Sequence, residues 1–242
     1  MKQLRILFFT FSILVTTCIF GSKNEVNVSI QNSRKLDLSN KNLVELPNNL
    51  SSNIEELDLS HNKISYIDAK KLPTNLKKLN LSYNSFTSLD NIKELIDLNL
   101  VELNLSNNSI KNESMPGELT FLFRSKIQKI NLSYNKFSGS IFINYSKSDN
   151  TSALKDLDLS NNKLNSVTIH RPLEKLRVNN NNLLGIYLDS SLLIFLDISN
   201  NKELSSELGI KKPKHKINIV RHNIKDNKEL QYTSATLSTI IN

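Results

Sequence analysis

Leu154-Lys155-Asp156-Leu157-Asp158-Leu159-Ser160-Asn161-Asn162-Lys163-Leu164 is the stretch that decides the fold. It reads L-x-x-L-x-L-x-x-N-x-L. The same spacing returns at Ile54–Ile64, Leu76–Phe86, Leu100–Ile110, Ile127–Phe137 and Leu173–Leu183. Leu193, Leu196, Ile198 and Asn201 repeat it once more, then slip one place to reach Leu204. A unit that recurs in register is the mark of a stacked array.

The spacing has a physical reading. Leu157 and Leu159 alternate with polar residues, as in a strand with one buried face. Leu154 and Leu164 point inward from the bends on either side. The asparagine answers a different need. A tight turn leaves backbone N–H and C=O groups unpaired inside the coil, and a buried amide carries both donors and an acceptor. Asn62, Asn84, Asn108, Asn135, Asn162, Asn181 and Asn201 therefore form a ladder that satisfies groups in neighbouring turns. One turn cannot bury its apolar side alone, so turns must stack.

Working outward, the array runs from Ser33 to Ile224 in about nine turns. The first turn keeps Leu36, Leu38 and Leu43 but has Ser33 and Lys41 at the lead and ladder places. The last is read as Lys214–Ile224, with Ile217, Ile219 and Ile224 apolar and Lys214 and His222 breaking the pattern. End turns deviate because one side has no neighbour. Val26, Val28 and Ile30 alternate within 22–32, as in a strand capping the first turn. Residues 225–242 form a partial cap or a frayed tail. Met1–Gly21 reads as a secretory leader, with Lys2 and Arg5 basic, Ile6–Val15 apolar and Thr16–Gly21 small. Its alternatives are an uncleaved anchor and a lipid on Cys18, the chain's one cysteine. Without that leader the chain has no disulfide or thiol chemistry, and no further segment is apolar enough to span a membrane.

These motifs resemble the leucine-rich-repeat superfamily from roughly Ser33 to Ile224. Short turns with Leu46-Pro47 and Leu72-Pro73 look like those of bacterial and receptor-ectodomain members, without their cysteine-rich caps. The resemblance implies an α/β leucine-rich-repeat solenoid, a curved horseshoe with a parallel sheet on its concave face. The convex side is expected to be mostly irregular or extended, with little helix. Ser138-Gly139-Ser140-Ile141 is similar to the S-G-x-I-P segment of plant-type repeats, but Phe142 replaces the proline and speaks against the plant-type outer strand. Pro116-Gly117-Glu118-Leu119 is placed to open one helical turn, and Tyr145–Ser152 to protrude as a loop.

The concave face can be read as columns. The first runs Lys35, Glu56, Lys78, Glu102, Lys129, Asp156, Lys175, Phe195, Lys216, so opposite charges meet on consecutive rungs. The second runs Asp37, Asp58, Asn80, Asn104, Asn131, Asp158, Arg177, Asp197, Asn218. It lacks the acidic clustering of a calcium site, and no metal is expected. The third, one place before the ladder, runs Asn40, His61, Tyr83, Asn107, Tyr134, Asn161, Asn180, Asn200, Arg221. Tyr83, Tyr134 and Phe195 are amphipathic or aromatic anchors on a rigid sheet, with His61, Arg177 and Arg221 beside them as candidate partner contacts.

Catalysis finds no motif. The four histidines, His61, His170, His215 and His222, have no metal-binding spacing, and five glycines provide no phosphate loop. No cofactor is implied. The net charge of +8 favours acidic surfaces weakly and is no nucleic-acid footprint. One basic cluster, Lys211, Lys212, Lys214, His215 and Lys216, has the spacing of heparin-binding segments. Sequons are frequent, and Asn112, Asn144 and Asn150, in the longer loops, are the better glycosylation candidates. The leading expectation is a secreted, non-enzymatic protein whose concave face docks a protein partner, as in a host or cell-surface interaction. The alternatives are adhesion to heparin-like polysaccharide through the basic cluster and a self-assembling structural coat.

Overall fold

A computed structural model describes residues 33–112, 119, 125–143, 153–170, 173–189, 191–205, 207–211, 215–225 and 231–233. The leader, the expected cap strand at 22–32, Pro116-Gly117-Glu118, the 145–152 loop and most of the tail lie outside these residues. Leu119, from the expected helical turn, is buried.

The inner sheet contains β1 (Lys35–Asp37), β2 (Glu56–Asp58), β3 (Lys78–Asn80), β4 (Glu102–Asn104), β5 (Lys129–Asn131), β7 (Asp156–Asp158), β9 (Lys175–Arg177), β11 (Phe195–Asp197) and β13 (Asn218–Val220). These strands pair in that order, all parallel, giving the concave sheet of a curved leucine-rich-repeat solenoid. Each is three residues long because the unit offers only x-L-x before the next leucine turns inward. The middle residue is the buried one from β1 to β11, as at Leu57, Leu79, Leu103 and Leu157, while Ile219 of β13 is only partly buried. One continuous core runs from Leu36 to Ile224.

Seven amides tie the turns together. Asn162 shows the pattern: its Oδ1 accepts from the Phe137 N–H at 3.1 Å in the preceding turn, and its Nδ2 donates to the Leu132 carbonyl there at 3.1 Å. Within its own turn Nδ2 also reaches the Leu159 and Ser160 carbonyls, both at 3.1 Å. Asn84, Asn108, Asn135, Asn181 and Asn201 repeat both arms. The preceding turn of Asn62 has Lys41 instead of an amide. There Asn62 Oδ1 accepts from both Lys41 and Leu43 N–H groups, at 3.0 and 2.9 Å.

The convex side changes character along the chain. In the second and third turns it holds 3-10 segments, Ala69–Lys71 and Leu89–Asp97. Ser88 caps the longer one by accepting from the Asp90 N–H at 3.1 Å. Leu89, Ile92 and Leu95 recur every third residue, the 3-10 period, and all three are buried. From Ser138 onward a second parallel sheet replaces these turns, built from β6 (Ser138–Ile143), β8 (Lys163–Ile169), β10 (Gly185–Leu188), β12 (Glu207–Lys211) and β14 (Gln231–Thr233). The outer strand is thus present despite Phe142. Ile141 and Ile143 point into the core, and Phe142, between them, faces outward against His170 at 5.4 Å. A residue on the outward alternation does not hinder a strand, and unlike proline it keeps its N–H for pairing. Gly139, at φ 67, sits where the β6–β8 register shifts, a left-handed position that suits glycine. Asn112 covers the start of β6: its Oδ1 accepts from the Ser138 N–H at 2.9 Å and its Nδ2 donates to the Ser138 carbonyl at 2.7 Å.

The last turn corrects the sequence register. Phe195 pairs with Asn218 and Asp197 with Val220, and the Asn200 N–H donates to the His222 carbonyl. Lys216 rather than Lys214 therefore opens this turn, Asn223 rather than Arg221 stands level with Asn200, and Ile224 takes the ladder place. Ile217 and Ile219 alternate, so a slip of two residues keeps the same faces turned inward. Hydrophobic pattern alone cannot distinguish the two registers.

Candidate functional site

The concave face lines an open hollow of about 520 Å³ over β1 to β5, bordered by Lys35, Glu56, Lys78, Glu102 and Lys129 among others. Its first column alternates in sign and is ion-paired from Lys35 to Glu102, while Asp156 is bonded by Arg177 of the second column. Lys35 Nζ lies 2.7 Å from Glu56, Lys78 bridges Glu56 at 3.4 Å and Glu102 at 4.0 Å, and Arg177 bonds Asp156 at 2.7 Å. The Lys35 ammonium, with Lys78, holds the Glu56 carboxyl below its ordinary value. A parallel set on the flank joins Arg34, Glu55 and Lys77, and Lys155 with Glu174. Most of these pairs are exposed on at least one side, so their role is register and local charge balance more than stability.

The second column is occupied by local structure. Asp37, Asp58, Asn80, Asn104, Asn131, Asp158 and Asp197 each accept from the backbone N–H two residues on, at 2.8–3.1 Å. This Asx turn bends the chain out of each strand. The Ser39 N–H also lowers the Asp37 carboxyl below its ordinary value. Arg177 has no such bond, and neither has Val220, which stands level with Asp197 in the last turn. The Arg177 guanidinium instead lies 5.2 Å from the centre of the Phe195 ring, a cation–π distance. Asp156, Arg177 and Phe195 are thus one connected group across three rungs.

The third column carries a feature that sequence reasoning missed. Asn40, His61, Tyr83, Asn107, Tyr134, Asn161, Asn180 and Asn200 all have φ between 53 and 57, the left-handed region. Asparagine tolerates it; bulky side chains rarely adopt it. The signal was present in the five asparagines of the column. Against that background Tyr83 and Tyr134 are replacements made at a conformational cost. Their side chains stand out, 49% and 56% exposed, and the exposed His61 ring stacks on Tyr83 with centroids 4.1 Å apart and planes 10° apart. Of the candidate contacts, His61 and Tyr83 touch, Arg177 and Phe195 touch, and Tyr134 stands between the two groups. Arg221 lies outside the column, level with Ile198.

The basic cluster is not a described surface. Lys212 and Lys214 lie outside the described residues, and Lys211 ends β12. His215 Nε2 donates to the Leu193 carbonyl of the previous turn at 2.5 Å, and Lys216 is exposed. Among the sequons, the Asn112 amide is engaged at both ends on Ser138, while Asn144 and Asn150 lie outside the described residues. Among the described residues no three His, Cys, Asp or Glu side chains converge as metal ligands, and no helix is long and apolar enough to cross a membrane.

Comparison with known proteins follows the same lines. Leucine-rich-repeat family models match residues 50–72, 75–95 and 99–122. No curated protein matches the sequence. Among solved structures, the leucine-rich-repeat domain of APL1B is similar at a TM-score of 0.50 and 21% identity, covering 78% of this chain and 56% of its own. YopM from Yersinia enterocolitica is similar at 0.46 and 18%, covering 84% and 49%. Internalin C2 from Listeria monocytogenes is similar at 0.47 and 18%, covering 74% of each. The chain thus spans about half the length of the first two. The family models thus match three successive stretches of the array, and the APL1B domain shares its fold.

Proposed function

We propose that this chain is an exported, non-enzymatic binding protein that docks a protein partner on its concave sheet. One observation carries the reading: Tyr83 and Tyr134 occupy left-handed backbone positions that asparagine fills in most other turns. A strained residue that the fold does not need points to a functional demand. Tyrosine supplies a large, amphipathic contact at that price, and such side chains dominate binding faces. The His61–Tyr83 stack and the Arg177–Phe195 pair place rigid anchors on either side of Tyr134. Between them opposite charges alternate along the first column, which lowers the cost of covering it. Export rests on the basic and apolar leader at 1–21, and the non-enzymatic reading on the lack of a catalytic motif.

The test is capture of partners from cell-surface extracts by the intact chain and by a variant carrying Tyr83→Asn, Tyr134→Asn and Phe195→Ala. Asparagine suits the left-handed backbone, so the variant should fold as the parent does. Loss of the captured partner with a cooperative melting transition retained is expected. Undiminished capture would remove these residues from the contact surface.

A further inference from the structure

The flank on the ladder side differs from the rest of the surface in the way its charges are arranged. The residue just after the ladder place is Lys136, Lys163, Asn182, Lys202 and Lys225 in the last five turns, and no turn of the array has an acid there. Backbone bonds keep the row aligned: the Lys163 N–H donates to the Phe137 carbonyl, Asn182 to Leu164 and Lys225 to Leu204, at 2.7–3.0 Å. All four lysines are exposed, and none has an ion-pair partner among the described residues. Neighbouring turns stand about 4.8 Å apart, so these like charges repel along the row. The concave column and the opposite flank avoid that by alternating sign, as in Lys35–Glu56–Lys78 and Lys155–Glu174.

The same flank holds an open hollow of about 670 Å³, with Asn165, Asn182, Leu184 and Lys202 in its lining. Glu203 also borders it and is its one acid. The amides of Asn165 and Asn182 are exposed and have no partner among the described residues. Neither residue has a left-handed backbone, so conformation does not require asparagine there, in contrast to Asn180 and Asn200. Free amides both donate and accept, which matches the hydroxyls of a sugar. The lysine row matches carboxylates or sulphates spaced along a chain.

We propose that this flank, from Lys136 to Lys225, binds an acidic polysaccharide, with the lysines on its anionic groups and Asn165 and Asn182 on its hydroxyls. A polyphosphate or nucleic acid would use the lysines and leave the amides idle. A membrane would need a charged plane, and this is a single file. The surface shares no residue with the concave contacts, so it stands or falls independently of the docking reading.

The full chain would be tested for binding to heparin, as the sulphated probe, and to polygalacturonate, as the carboxylated one, with polyphosphate and neutral dextran alongside. Binding to at least one acidic polysaccharide is expected, weakening as salt rises. A variant with Lys136, Lys163, Lys202 and Lys225 all changed to Gln should lose at least about tenfold in affinity. Asn165→Ala with Asn182→Ala should lose severalfold on the polysaccharide and leave polyphosphate binding unchanged. Changing Lys211, Lys212 and Lys214 to Gln should have little effect. The substituted lysines and amides are exposed, and an unchanged melting curve separates lost binding from lost fold. Three results would each overturn the proposal: no binding to either polysaccharide, full binding by the lysine variant, or polysaccharide binding indifferent to the two amides.

Discussion

The two sheets share a core and are specified in different ways. The inner sheet passes through the described turns and is pinned by a buried amide on one flank and, at most of its strands, by an Asx turn at the strand end. Its three-residue strands therefore need little beyond one inward leucine. The outer sheet has no such ladder along its length. It exists only where the convex segment alternates its apolar residues, as in Ile141 and Ile143, Val167 and Ile169, Ile186 and Leu188, Leu208 and Ile210. Where the apolar residues fall every third place, as in Leu89, Ile92 and Leu95, the same side of the solenoid is a 3-10 segment. A fixed repeat on one face thus coexists with a convex face decided locally, turn by turn.

Breaking the ladder should produce the largest effect. Asn162→Leu leaves the Phe137 N–H and the Leu132, Leu159 and Ser160 carbonyls without the amide, all in buried surroundings. An unsatisfied buried group costs about 1–3 kcal/mol, so a loss of roughly 3 kcal/mol or more is expected in urea denaturation. A loss under about 1 kcal/mol would mean the leucines, not the amides, hold the turns together.

The outer sheet should yield to a smaller change at one point. Gly209 lies directly across from Tyr187, and a Cβ built there would fall 2.0 Å from the Tyr187 Cδ1. Gly209→Ala must push that ring aside, at about 1–3 kcal/mol for overpacking. In a Tyr187→Ser background the same change should be nearly neutral, and the double-mutant cycle measures the difference. Equal cost in both backgrounds would place the strain in the backbone instead.

The same contrast explains what the sequence made legible. Leu157, Leu159 and Asn162 recur in register, so the inner sheet and its ladder could be placed by counting. The outer sheet turned on whether Phe142 blocks a strand, and one aromatic on an outward position does not. The last turn was read two places early because Ile217 and Ile219 satisfy both registers. Backbone pairing, which sets the register, is not written in apolar alternation. The candidate contacts were visible as residue types, but their left-handed backbone was not. It could have been inferred only by asking why Asn40, Asn107, Asn161, Asn180 and Asn200 share one place.

That shared place supplies a smaller test of opposite sign. Tyr134→Asn should stabilise the fold by about 1 kcal/mol, because a bulky residue in the left-handed region costs roughly 1–2 kcal/mol and asparagine far less. Tyr83→Asn should gain less or nothing, since it gives up the stack on His61, worth about 0.5–1.5 kcal/mol. Destabilisation by Tyr134→Asn would mean that the tyrosine serves packing, and would remove the strain that supports a contact role.

Acid should separate the sheets by the least amount. Glu56 lies in the inner sheet, and Lys35 and Lys78 hold its carboxyl below the ordinary value of 4.5. A depressed folded pKa means a contribution fully present above 4.5 that disappears as pH falls through the lowered value. Strands β6, β8 and β10 contain no carboxylate, so that part of the outer sheet has no counterpart to lose. Glu56→Gln removes the charge at every pH. The parent should be the slightly more stable of the two at neutral pH, and their urea midpoints should converge once the carboxyl is protonated. The gap will be small, because the pair is exposed and screened. A gap that persists unchanged well below 4.5 would show that the glutamate acts through its shape or hydrogen bonding, and that alternating charge contributes nothing to holding these rungs in line.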